Sequence, residues 1–77
     1  MSNVVIYSTP NCPYCVMAKE YLSEKNIAFT DHNVGLDKTK AEEMVKKSGQ
    51  MGVPVVDIDD NIVVGFNKPE INRLLGL

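Results

Sequence analysis

The segment Val4-Val5-Ile6-Tyr7-Ser8-Thr9-Pro10-Asn11-Cys12-Pro13-Tyr14-Cys15 carries a strand, a turn and a helix start within one short stretch. Its first four residues are β-branched or aromatic without interruption, which predicts a central strand covered on both faces. Ser8 to Pro13 is rich in turn formers, and Pro13 suits the first position of a helix, where a backbone N–H has no partner to lose. A helix follows, with Ala18, Tyr21 and Leu22 at helical spacing and Lys19, Glu20, Glu24 and Lys25 mostly on the outer face. Lys25 in its final turn suits the negative end of the helix dipole.

Downstream, Ile27 to Val34 is mostly polar on both faces after its start and reads as an edge strand. Thr39 and Glu42 form a capping box ahead of Met44 and Val45, and Gly49 stands where a left-handed helix cap is needed. Val55 to Ile58 and Asn61 to Val64, separated by Asp59 and Asp60, make a hairpin. Asn67 caps a last helix, with Glu70 three residues on and Ile71, Leu74 and Leu75 on its apolar face. The order β-α-β-α-β-β-α, with a right-handed crossover and a tight hairpin, predicts an α/β fold: a four-stranded mixed sheet with three helices on its two faces.

The chain has 77 residues, room for a single domain over residues 1–77. No apolar run approaches the roughly 18 residues that cross a bilayer, so no membrane span is expected. With 8 Lys and Arg against 10 Asp and Glu and a net charge of −2, there is no basic field to draw nucleic acid. The start at Met1, Ser2 and Asn3 lacks the pattern of a secretory leader, so a cytoplasmic location is the expectation, and a monomer is the default for so small a unit. Two cysteines are too few for a disulfide scaffold, and their value is chemical.

Cys12-Pro13-Tyr14-Cys15 lies at the junction of the first strand and first helix. There, unpaired N–H groups and the positive end of the helix dipole favour an anion, so Cys12 is expected to be the nucleophile. Cys15, three residues on and inside the first turn, is more buried and is expected to be the resolving thiol. A thiolate at Cys12 then opens a client disulfide, and Cys15 displaces the product while closing an intramolecular bridge. The alternatives for such a pair are half of a zinc site or two buried thiols acting as small hydrophobes. Only His32 remains as a further ligand, so a zinc site would have to be shared between two chains.

Val53-Pro54 opens the third strand. A cis bond there would turn the Val53 backbone outward as a clamp for an extended peptide, whereas a plain strand-opening proline would need no such role; the residues alone leave both readings open. Tyr14, inside the motif, is expected to contact substrate. Met51, Val53 and Phe66 are candidates for an apolar rim around the thiols, although a Met and an aromatic near a turn are more often core fillers. Gly65 marks a strand end or a close backbone approach. His32, expected to be exposed on the edge strand, is assigned no role.

Taken together, Ile6 to Cys15, Val53-Pro54 and Gly65-Phe66, in this order and spacing, resemble the glutaredoxin family over essentially the whole chain, close also to the NrdH-type redoxins. The resemblance implies a thioredoxin fold, a cis bond at Pro54, Cys12 as nucleophile and Cys15 as resolver. Thr9, Pro13, Tyr14, Val53, Pro54, Gly65, Phe66 and Asn67 become the substrate-binding residues, with no bound cofactor or metal. It further implies a dithiol oxidoreductase acting on protein disulfides and glutathione mixed disulfides, with glutathione as reductant. The alternative is an NrdH-type redoxin recharged by a flavoprotein thioredoxin reductase and donating electrons to ribonucleotide reductase or a peroxidase. A metal or iron-sulfur carrier is the reading from another class, although Pro13 is unlike the motif of the cluster-binding relatives.

The departures from the family pattern concern charge. Thr9 stands where glutathione-using members carry a lysine, Asn67 and Lys68 replace an acidic pair, and Val64 replaces the first of two glycines. Gly65-Phe66 followed by Pro69 and Glu70 is similar to the NrdH-type tail, without the Trp-Ser that normally precedes it.

Overall fold

The computed structural model describes residues 3–77; Met1 and Ser2, on which part of the leaderless start was read, lie outside the described residues. Strands β1 (Val4–Ser8), β2 (Thr30–Asn33), β3 (Val55–Ile58) and β4 (Asn61–Val64) alternate with helices α1 (Pro13–Glu24), α2 (Lys38–Ser48) and α3 (Lys68–Leu75) in the expected order. The sheet runs β2-β1-β3-β4, so β1 is internal and β2 is an edge strand. β1 is parallel to β2 and antiparallel to β3, and β3 and β4 form the antiparallel hairpin. This is the thioredoxin fold.

The apolar run Val4–Tyr7 of β1, and that of β3, broken only by Asp57, follow from burial on both faces. On one face Val4, Ile6, Val56, Ile58 and Val63 close against Leu22 of α1 and Ile71 of α3. On the other, Tyr7 and Val55 meet Met44 of α2, with Val5, Val34, Val53 and Ile62 around them. Among the described residues no helix is long and apolar enough to cross a membrane.

Three local features differ from the sequence reading. The edge strand starts at Thr30, not Ile27. Asn26, at φ 58°, ends α1, the Ile27 N–H returns to the Leu22 carbonyl at 2.9 Å, and Ile27 and Phe29 enter the α1/α3 core before any ladder begins. The cap of α2 is Asp37, not Thr39: its Oδ1 accepts the Lys40 N–H at 3.1 Å, so the helix begins earlier and Thr39 falls within its first turn. Lys25 caps α1 rather than lying in its last turn, and its ammonium sits 5.7 Å from the Tyr21 ring centre. The other terminators match expectation. Gly49 closes α2 at φ 73°, and Asp59 and Asp60, at φ 51° and 69°, supply the two left-handed residues of a tight hairpin turn.

Candidate active site

Because β1 and β3 are antiparallel, the end of one and the start of the other share an edge of the sheet. The loop from Thr9 to Cys12 leaves β1 there, and Val53 and Pro54 enter β3 there. The Val53–Pro54 peptide is cis, as the resemblance implies. Gly65, just past β4 and at φ 80°, donates its N–H to the Pro54 carbonyl at 2.8 Å, which ties the end of the hairpin to the same edge. A side chain at this φ would be strained, which accounts for glycine.

Cys12 is the N-cap of α1, with Pro13 at the first helical position. Its Sγ accepts the Cys15 N–H at 3.3 Å, the role an N-capping oxygen plays in other helices. As a thiol it also donates to the Val53 carbonyl at 3.8 Å. Cys12 is half-buried, Cys15 is fully buried, and both are free thiols.

Burial pushes the Cys15 thiol up to about 11, and its hydrogen bond with Cys12 adds to the effect; the Thr9 backbone and the Lys19 ammonium pull the other way. The two sulfurs are thus unlike. Cys12 is reachable and capped, whereas Cys15 is sealed in and protonated near neutrality. Stability depends on pH accordingly. Above the ordinary thiol range of about 8.5 the unfolded chain gives up the Cys15 proton, whereas the folded chain keeps it to about 11, so folding stability falls as pH rises through that window. We expect the reduced protein to lose about 1–3 kcal/mol from this group between pH 8.5 and 11. The loss is absent in Cys15→Ala, as denaturant titrations of the two at each pH would reveal; equal slopes would contradict it.

The remaining expected site residues divide. Pro13 follows Cys12 in the helix start, the Val53 carbonyl reaches Cys12, and Pro54 and Gly65 are hydrogen-bonded to each other at the same edge of the sheet. Thr9 is half-buried in the loop before it, and Tyr14 is 62% exposed and points outward, available to a partner. Phe66 instead packs edge-on against Tyr21, ring centres 5.9 Å apart, in the α1/α3 core. Asn67 is the cap of α3, its Oδ1 accepting the Glu70 N–H at 3.4 Å. The apolar rim is not one patch: Val53 packs on the α2 side, Phe66 on the opposite face, and Met51 stands 81% exposed. His32 is half-buried rather than exposed, its ring 5.6 Å from that of Tyr7, because its alternation on β2 turns it toward the α2 face. Among the described residues no three His, Cys, Asp or Glu side chains gather as a metal-binding group.

Sequence reading passed over Ser8, Lys19 and Asp31. The Ser8 hydroxyl donates to Asp31 Oδ1 at 2.6 Å, and Asp31 Oδ2 receives Lys19 Nζ at 3.1 Å. The one available signal was the four-residue spacing of Cys15 and Lys19 on a helix.

The glutaredoxin family model matches residues 4–63. An uncharacterized glutaredoxin-like 8.6 kDa protein in the rubredoxin operon of Clostridium pasteurianum is 57% identical over 72 residues, covering 94% of this chain and 96% of the relative. Glutaredoxin 3 of Escherichia coli K12 is 42% identical over 65 residues, covering 84% of this chain and 78% of its own length. In structure, the glutaredoxin-like NrdH-redoxin of Escherichia coli, described as having a thioredoxin-like activity profile, superposes with a TM-score of 0.83 at 29% identity, covering 94% of this chain and 93% of the other.

Proposed function

This chain belongs to the glutaredoxin family and is a thiol-disulfide oxidoreductase, and from that premise we propose that Cys12 is its attacking thiolate and Cys15 its resolving thiol. What carries the reading is the capped, half-buried Sγ of Cys12, 3.3 Å from the N–H of a fully buried Cys15. Cys12 attacks a client disulfide, forming a bond to one client sulfur and releasing the other as thiolate. Cys15 then loses its proton, bonds to Cys12 and frees the second client sulfur, so that two electrons pass to the client. Val53, beside the thiol, and the exposed Tyr14 would receive the client chain, with Thr9, Pro13, Pro54 and Gly65 shaping the approach and Phe66 and Asn67 supporting it from behind. Clients are disulfide-bearing proteins of a reducing cytoplasm, met by a monomer.

Glutathione is the proposed source of electrons, in keeping with the Cys-Pro-Tyr-Cys motif shared with glutaredoxins. Thr9 and Lys68 favour a second reading, recharging by a thioredoxin reductase, because neither offers the charge expected at its position. Supplying the oxidised protein with NADPH and either glutathione plus its reductase or thioredoxin reductase separates the two: the efficient couple is the one that consumes NADPH.

A gain of function tests the charge argument. Asn67→Asp preserves the α3 cap, since aspartate caps as well as asparagine, and Lys68→Asp places an acid in the first turn, where the dipole welcomes it. The second change removes an ammonium now 5.0 Å from the Tyr21 ring centre, at a cost of about 0.5–1 kcal/mol. Together they are expected to lower KM for glutathione about tenfold by pairing its amino group, a gain of roughly 1.4 kcal/mol. Unchanged turnover with glutathione would show that the missing acids do not limit its use.

A further inference from the structure

A polar chain joining β1, β2 and α1 is left unused by the exchange steps above. Ser8, buried at the end of β1, bonds Asp31 at 2.6 Å, and Asp31 holds Lys19 at 3.1 Å. Ile6 pairs with Asp31 across the ladder, and Ser8, two residues on from Ile6, shares its face, the face that α1 covers. Lys19 stands one helical turn beyond Cys15, the spacing at which helical side chains meet, and its side chain is only 28% exposed. The carboxylate therefore holds an ammonium that would otherwise extend into water.

Cys15 is the group this arrangement serves. Complete burial opposes its thiolate, and resolution requires that thiolate. The groups that face it are Cys12 at the helix start, the Thr9 backbone from the loop after β1 and Lys19 from its own helix, with Asp31 of β2 behind Lys19. Asp57 of β3 is committed to Lys47 of α2, and Glu70 and Arg73 of α3 to each other. When Cys12 is bonded to a client it carries no charge, which leaves the Thr9 backbone and the ammonium to offset burial.

We propose that Lys19 is a positioning residue of the resolving step: anchored by Asp31 and through it by Ser8, its ammonium stabilises the Cys15 thiolate that displaces the client. This rests on Cys15 being the resolver. Cys15 passes its proton to water, and its electron pair forms the bond to Cys12 Sγ. The bond from Cys12 to the client sulfur breaks, and that sulfur leaves with the pair as a thiolate, to be protonated by solvent. The cysteine pair is oxidised by two electrons and the client is reduced by two.

Stopped-flow reaction of the reduced full-length protein with the disulfide of thionitrobenzoate resolves the two steps. The first release of the yellow thiolate depends on probe concentration and reports Cys12; the second does not and reports Cys15. Lys19→Gln is expected to leave the first phase unchanged and to slow the second about threefold near neutral pH. Without the ammonium the thiolate population falls, while the more basic sulfur recovers about half of that loss on a logarithmic scale. The pH at which the second phase levels off rises in Lys19→Gln, and Lys19→Arg restores both rate and profile. A second phase unaltered in Lys19→Gln, or equally slow in Lys19→Arg, overturns the role of Lys19 alone. No second phase in the unsubstituted protein would instead overturn the assignment of Cys15, and this proposal with it.

Discussion

Cys12→Ser is expected to bring disulfide reduction down to the uncatalysed rate, whatever the substrate. Cys15 cannot take over. It is fully buried and its thiol is pushed up to about 11, so only about one molecule in 10⁴ carries that thiolate at neutral pH, and no client sulfur can approach it. Cys15→Ser fails differently. Cys12 keeps its cap, because the donor is the backbone N–H of residue 15, and so it still attacks. Without a second thiol the mixed disulfide persists until an external thiol resolves it. An NADPH-coupled assay is expected to show Cys15→Ser active on a small dialkyl disulfide with glutathione present and inactive on a protein disulfide. Retention of more than about a tenth of the activity by Cys12→Ser would remove Cys12 from the centre of the mechanism, a tenfold loss being only about 1.4 kcal/mol of transition-state stabilisation.

The largest effect expected on stability lies on the opposite face of the sheet. Asp57 of β3 is 5% exposed, its Oδ2 bound by Lys47 Nζ of α2 at 2.8 Å and its Oδ1 by the Asp60 N–H at 2.8 Å. The same ammonium lies 5.7 Å from the ring centre of Tyr7, whose hydroxyl donates to Glu43 at 2.6 Å. The contact holds the Lys47 proton on, raising its pKa through the Asp57 hydrogen bond first and Tyr7 second. Lys47→Met would strand the carboxylate with one donor in the core. Removing a partner from a buried pair costs about 3–5 kcal/mol; with Lys47 part-exposed and the Asp60 N–H retained, about 2–3 kcal/mol is expected here. For a chain of this size each kcal/mol lowers the melting midpoint by about 4–8 °C. Lys47→Arg, which keeps the charge, is expected to lose less than half as much. Thermal unfolding at neutral pH settles it, and a Lys47→Met midpoint within a degree or two of the unsubstituted protein would show that the pair contributes little.

The order of elements was legible because each left a local mark: the apolar runs of β1 and β3, Pro13 at a helix start, Gly49 and Asn67 as caps. The cysteine pair was legible for the same reason, its motif and its helix position being contiguous. Asp37 was missed as the α2 cap because Thr39 offered a competing capping box two residues on, and only the carboxylate's bond to the Lys40 N–H distinguishes them. Phe66 was open to core filling or to a rim around the thiols, and the resemblance made it a substrate-binding residue. Its packing on Tyr21, 45 residues earlier in the chain, has no trace in the sequence near Gly65.

By itself, then, the order of residues determined the α/β topology and named the reactive pair, since both rest on interactions spanning a few positions: periodicity, caps, and a thiol at the first turn of a helix. Tertiary structure decided what surrounds that pair. The Val53 carbonyl beside Cys12, the Ser8-Asp31-Lys19 chain and the Asp57-Lys47 bond between β3 and α2 join residues from different parts of the fold. Burial and charge at a sulfur are sums over everything the fold brings near it, so neither can be read until strands and helices have been set in register.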